Sequence, residues 1–202
     1  KRFLWLISKN YSRNKILGNN MGKALLCRAF FFKHPEGTGY EGGLRVSMYQ
    51  THILKNGLKV IHQQVDGKAA WCGLIIGVGS RDERPEEEGI AHFIEHVIFK
   101  GTEKRKAFHI LSRIEDVGGE LNAYTTKEDT CIYASFLARD YERALELFAD
   151  IVFHSVFPEK EIEKEKEVVI DEINSYKDSP GELIFDDFEE LIYPDYPIGR
   201  NI

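Results

Sequence analysis

The chain has 202 residues, 43% of them hydrophobic and 30% charged, with a formal net charge of −6. That is one domain's length with enough apolar content to offset the ordering entropy, which excludes disorder as the dominant state. No apolar run approaches the ~20 residues of a membrane-spanning helix, and the charge balance lacks the basic footprint of a nucleic-acid binder.

The charge is unevenly placed. Residues 1–47 hold nine Lys or Arg against two Glu, and residues 48–202 hold eighteen basic and thirty-one acidic groups. The first segment reads as a basic leader, upstream sequence or a disordered extension, and the fold is expected to begin at Met48. Cys27, Cys72 and Cys131 are odd in number, and no two are at metal-ligand spacing. A disulfide framework is therefore not expected, and an intracellular, reducing compartment is, bacterial cytoplasm ahead of mitochondrial matrix. Any metal site must be built from His and carboxylates.

From Met48 the elements follow in order. Thr51–Leu54 and Leu58–Gln64 flank Asn56-Gly57 and predict a hairpin. Ala70–Val78 predicts a buried strand ended by Gly79-Ser80. Pro85 and three glutamates open a helix over about 87–100, the acids suiting its N-terminal dipole. Ala107–Val117 predicts a second helix, stopped by Gly118-Gly119. Glu120–Thr126 and Thr130–Leu137 predict strands, Arg139–Phe153 a helix, and Pro158 the start of a long helix to about Lys177. Pro180-Gly181 breaks it before a short helix. The mixture predicts an α+β fold with an antiparallel-rich sheet packed against helices.

The helix around Ile90–Phe99 is apolar nearly all round, which predicts burial. Yet Glu95 and His96 fall within about 60° of His92 on one of its faces. Buried ionisable groups are costly unless paired, and a divalent ion pairs them directly. His92 and His96, at i and i+4, can aim both imidazoles at one ion, with Glu95 in reach of a bound water. This is the H-x-x-E-H order of the inverted zincins.

A catalytic zinc site usually takes three protein ligands. The other five His lie in the leader, the hairpin or on amphipathic helices, so a carboxylate is the expected third ligand. On the helix after Pro158 the apolar side is marked by Ile162, Val169 and Ile173. Glu161, Glu165 and Glu172 fall within that sector, whereas Glu163, Glu167 and Asp171 fall outside it. Glu165 and Glu172 stack on one line, so one can bind metal while the other orients a ligand. Spacing leaves open which does which.

His92-Phe-Ile-Glu95-His96, followed by Glu172, resembles the pitrilysin family of zinc metallopeptidases, which includes insulysin and the mitochondrial processing peptidase. Gly79–Glu83, Phe99–Thr102 and Gly118–Thr125 agree with the same family, its short processing-peptidase-like branch most of all. The resemblance implies a half-domain of the mitochondrial-processing-peptidase type. It implies one Zn2+ per chain on His92, His96 and Glu172, with Glu165 as supporting acid and Glu95 as general base. It implies that an extended peptide substrate pairs with the strand carrying Asn122, Ala123, Tyr124 and Thr125. It also implies a second, similar half or subunit that closes over the substrate. Residues 48–202 are then expected to be an N-terminal catalytic domain, incomplete at its C-terminus. The reading that follows is a zinc endopeptidase. A non-catalytic or truncated subunit of the same fold and a purely structural zinc site are the alternatives. The intact H-x-x-E-H speaks against the first and truncation for it. An open, water-bound position would exclude the second, since structural sites are closed by four protein ligands.

Overall fold

The computed structural model describes residues 28–33, 49–65 and 67–200. Six strands form one sheet: β1 (Arg28–Lys33), β2 (Gln50–Ile53), β3 (Lys59–Gln64), β4 (Ala69–Ile76), β5 (Glu120–Thr125) and β6 (Thr130–Leu137). Their order is β2-β3-β1-β4-β6-β5. β1 runs parallel to β3, and every other pairing is antiparallel. Among the described residues, five α-helices accompany the sheet: α1 (Ile90–Val97), α2 (Ala107–Glu115), α3 (Tyr141–His154), α4 (Glu159–Lys177) and α5 (Pro180–Ile192). The α+β expectation holds. Among the described residues, no helix is long and apolar enough to cross a membrane.

The hairpin forms where Asn56-Gly57 requires it. Gly57 adopts φ +87°, the left-handed region that glycine enters without steric cost. The Asn56 side-chain oxygen accepts from the Leu58 amide at 3.2 Å. β4 and β6 then pair over eight registered positions. Ala70, Cys72 and Leu74 point into the core, while Trp71, on the opposite face, is exposed. Ala70–Val78 was expected to be buried throughout. It is instead half-buried, because among the described residues the helices cover one face. On that face Ile110 and Ile114 of α2, Ile132 of β6, and Leu147 and Ile151 of α3 lose all contact with water.

One strand was not expected. Arg28–Lys33 lies within the segment read as a leader, and it pairs between β3 and β4. The start of the sheet therefore does not coincide with Met48. The rest of that segment, with Cys27 and His34, lies outside the described residues. Cys72 and Cys131 are both free and buried, and burial pushes both thiols up in pKa.

Candidate metal centre

α1 is held at its start from outside. Its expected opening acids, Glu86–Glu88, do not cap it. A short 3-10 turn covers Pro85–Glu87, and the α-helix begins only at Ile90. The Glu83 carboxylate accepts from the amides of Gly89 at 2.8 Å and Ala91 at 2.7 Å. It thereby satisfies donors that a helix start leaves orphaned. Glu83 belongs to the Gly79–Glu83 motif, but its capping role depends on a fold-back that spacing does not reveal.

The loop after α1 is equally fixed. Asp150, buried on α3, accepts from Thr102 Oγ1 at 2.8 Å and from Arg105 at 2.5 Å. His154 Nδ1 lies 3.4 Å from the other oxygen of Asp150. Arg105 also forks onto Glu146 at 2.8 and 2.9 Å. Removing one member of such a buried pair leaves an uncompensated charge, so these contacts tie the loop to α3.

Between these anchors α1 presents its two imidazoles. Their rings stand at 90° with centroids 4.6 Å apart. His92 Nε2 lies 3.1 Å from His96 Nε2. Glu172 Oε2, from α4, lies 3.1 Å from His96 Nε2 and 3.8 Å from His92 Nε2. Three donors thus converge on one small triangle, with no lysine or arginine among them. Tetrahedral zinc ligands at their usual bond lengths stand roughly 3.3–3.6 Å apart. Two observed edges fall just below that range and one just above it, so a single ion could be held by small shifts of the three side chains. The fit extends outward. His96 Nδ1, the nitrogen turned away from the triangle, meets Glu165 Oε1 at 3.2 Å. Such a contact on the outer nitrogen can fix which imidazole nitrogen would face an ion.

Glu165 is the buried carboxylate of α4, its side chain 10% exposed against 53% for Glu172. Burial pushes its pKa up, but hydrogen bonds from Lys100 and His96 outweigh burial and hold it below the ordinary carboxylate range. Lys100 Nζ reaches its Oε2 at 2.5 Å. Of the three carboxylates placed in the apolar sector, Glu165 and Glu172 reach the site. Glu161 pairs with Lys164 on the surface instead. Glu95 sits partly buried on α1, one residue before His96.

Two burial expectations hold only in part. Ile90 and Ile94 of α1 are exposed, and so are Val168, Ile170 and Ile173 of α4. Ala91 and Val97 of α1 are buried and Ile162 and Val169 of α4 half-buried, while the described residues leave the exposed ones uncovered. The site is therefore open to solvent on the Glu172 side.

β5 lies beside the site, because α1 packs against it. It ends the strand order, so among the described residues its outer edge is unpaired. Along it Asn122 and Tyr124 are exposed, Ala123 is buried and Thr125 is partly buried. The Tyr124 ring lies 6.0 Å from that of Tyr133. Burial, then a hydrogen bond with Cys131, pushes the Tyr124 phenol up to about 12.

The profile of the insulinase family, peptidase family M16, matches residues 59–202. An uncharacterized zinc protease of Rickettsia felis is 45% identical over 152 residues, covering 74% of this chain and 36% of that protein. The mitochondrial-processing peptidase subunit beta of Mus musculus is 39% identical over 159 residues, covering 79% of this chain and 32% of that protein. The crystal structure of a Helicobacter pylori protease superposes with a TM-score of 0.68 at 29% identity, covering 72% of this chain and 35% of that one. The chain thus spans about a third of the length of the curated relatives it matches.

Proposed function

Because the chain belongs to the insulinase family, peptidase family M16, we propose that it is the metal-carrying part of a zinc endopeptidase acting on peptides bound in extended form. The observation that carries this reading is the triangle of His92 Nε2, His96 Nε2 and Glu172 Oε2, with edges of 3.1, 3.1 and 3.8 Å. These three residues hold one zinc ion. Two relatives are named zinc proteases, which supports the choice of metal.

When bound there, zinc acidifies a water and polarises a carbonyl. The protein's own residues do the rest. Glu95, on the same helix as both imidazoles, takes the proton that the attacking water releases as its oxygen bonds to the scissile carbon. It then hands that proton to the nitrogen whose bond to carbon breaks, and the amine departs neutral. Glu165 holds the His96 ring in place. The free edge of β5, at Asn122–Thr125, aligns an extended peptide by main-chain hydrogen bonds, which tolerate varied side chains. A second homologous half or subunit covers the open side of the site. The naming of one relative as a subunit supports that partner.

In the full-length protein, Glu95→Gln is expected to abolish peptide cleavage while zinc stays bound. His92→Ala, His96→Ala and Glu172→Ala are each expected to lose zinc on dialysis, measured by elemental analysis. Asp171→Ala is the matched control on the next residue of α4. Zinc loss in that variant equal to the loss in Glu172→Ala would overturn the ligand assignment, and residual cleavage by Glu95→Gln would overturn the base.

A further inference from the structure

We propose that Lys100 is a positioning residue of this metal centre, acting on His96 through the Glu165 carboxylate. The proposal rests on the zinc reading above and deepens it. Lys100 lies four residues after His96, where its amide still donates to the Val97 carbonyl at 3.0 Å. Glu165 comes from α4 and spans the two. Its Oε2 lies 2.5 Å from Lys100 Nζ and its Oε1 lies 3.2 Å from His96 Nδ1. One carboxylate thus bridges His96, on α1, and Lys100, in the turn that follows it.

The bridge has a specific consequence. A carboxylate held by one neutral donor alone can rotate about its last torsion, and the imidazole it supports rotates with it. A cation on the second oxygen removes that freedom and keeps the first oxygen an acceptor. An acceptor at Nδ1 demands a proton there, so Nε2 presents its lone pair to the triangle. Lys100 can serve as an anchor because its own backbone is fixed. Gly101 pairs with Lys106, Thr102 pairs with Ser155, and Thr102 is bonded to buried Asp150. The side chains of Lys100 and Glu165 are 28% and 10% exposed, so water competes weakly for the pair.

The test measures zinc affinity of the full-length protein by competition with a chromophoric chelator, in wild type, Lys100→Met, Lys100→Arg, Glu165→Gln and the Lys100→Met/Glu165→Gln double variant. Lys100→Met should weaken zinc binding measurably, by no more than the about 10- to 100-fold expected for losing Glu165, the outer partner of His96 itself. Lys100→Arg should restore most of it. The double variant should bind no more weakly than Glu165→Gln alone, because Lys100 acts only through that carboxylate. The cobalt-substituted Lys100→Met protein should show a shifted visible spectrum, which a general loss of stability would not produce. Wild-type affinity in Lys100→Met, or losses that multiply in the double variant, overturns the proposal alone. A wild type that holds no zinc overturns the zinc reading and this proposal with it.

Discussion

Glu165 and Glu172, two turns apart on α4, address opposite nitrogens of one imidazole. Glu165 Oε1 lies 3.2 Å from His96 Nδ1, and Glu172 Oε2 lies 3.1 Å from its Nε2. The seven-residue spacing brings both carboxylates to the same side of the helix. These polar contacts, together with half-buried Ile162 and Val169, position α4 against its neighbours. The apolar residues Val168, Ile170 and Ile173 are exposed and contribute little.

That division predicts how the molecule responds to a chelator. A helix with few buried apolar contacts opens at low free energy, and a ligand bound only by the closed form raises that cost. Stripping zinc should speed amide exchange along α4 while β4, β6 and α3 keep their protection. Hydrogen-exchange mass spectrometry reads this directly, and an equal loss of protection in β6 would contradict it.

The core should be far less forgiving than the helix surfaces. Leu147 is fully buried among Ile110, Ile114, Ile132 and Ile151. Leu147→Ala should cost about 2–5 kcal/mol in urea unfolding. Phe108→Ala, at an exposed position on α2, should stay within about 0.5 kcal/mol of wild type.

Gly118 and Gly119 end α2 for different reasons. Gly118 takes φ +75°, and a Cβ there would meet nothing within 4 Å. Gly119 has no such backbone demand. A Cβ on it would lie 2.5 Å from the Ser135 carbonyl oxygen and 2.7 Å from a methyl group of Ile114. Gly118→Ala should cost about 1–2 kcal/mol, the left-handed penalty alone. Gly119→Ala should cost more, because β5 must shift against β6. Unfolding midpoints of the two variants check the order.

Tyr176 predicts behaviour in alkali. Its hydroxyl donates to Asp186 at 2.8 Å, and that bond, with burial second, pushes its pKa up to about 12. An unfolded tyrosine titrates near about 10. The folded state thus favours the neutral phenol, and the stabilisation is complete below about pH 10 and lost as the pH climbs towards about 12. Stability measured across that window should fall less steeply in Tyr176→Phe. A parallel decline in both proteins would remove the tyrosine from the account.

What the sequence made legible was local. The spacing of His92, Glu95 and His96 needs only a helix to become a face, and that helix formed. Thr130–Leu137 was bounded correctly because its alternation and flanking polar residues are contained in one segment. Glu165 and Glu172 were separated from Asp171 by the same angular argument, and both reach the site. What stayed hidden was non-local. Nothing in the spacing announces that Glu83 folds back onto α1 or that Lys100 meets a carboxylate from α4. β1 lay in a segment whose basic composition suggested a leader, and strand pairing does not show in composition. The exposure of Ile90 and Ile94 was missed because periodicity marks an apolar side without saying whether anything covers it.

The unequal exposure of the two α4 carboxylates separates affinity from traffic. Glu172 is open to solvent, while Glu165 is closed in behind His96. Under the zinc reading, an ion would reach this centre over Glu172 and leave the same way, so substitutions on that rim would speed or slow loading and release together. The buried side, with Glu165, would set how tightly a seated ion is held. A variant altered at the rim could keep the wild-type dissociation constant and still differ widely in how fast a chelator empties it.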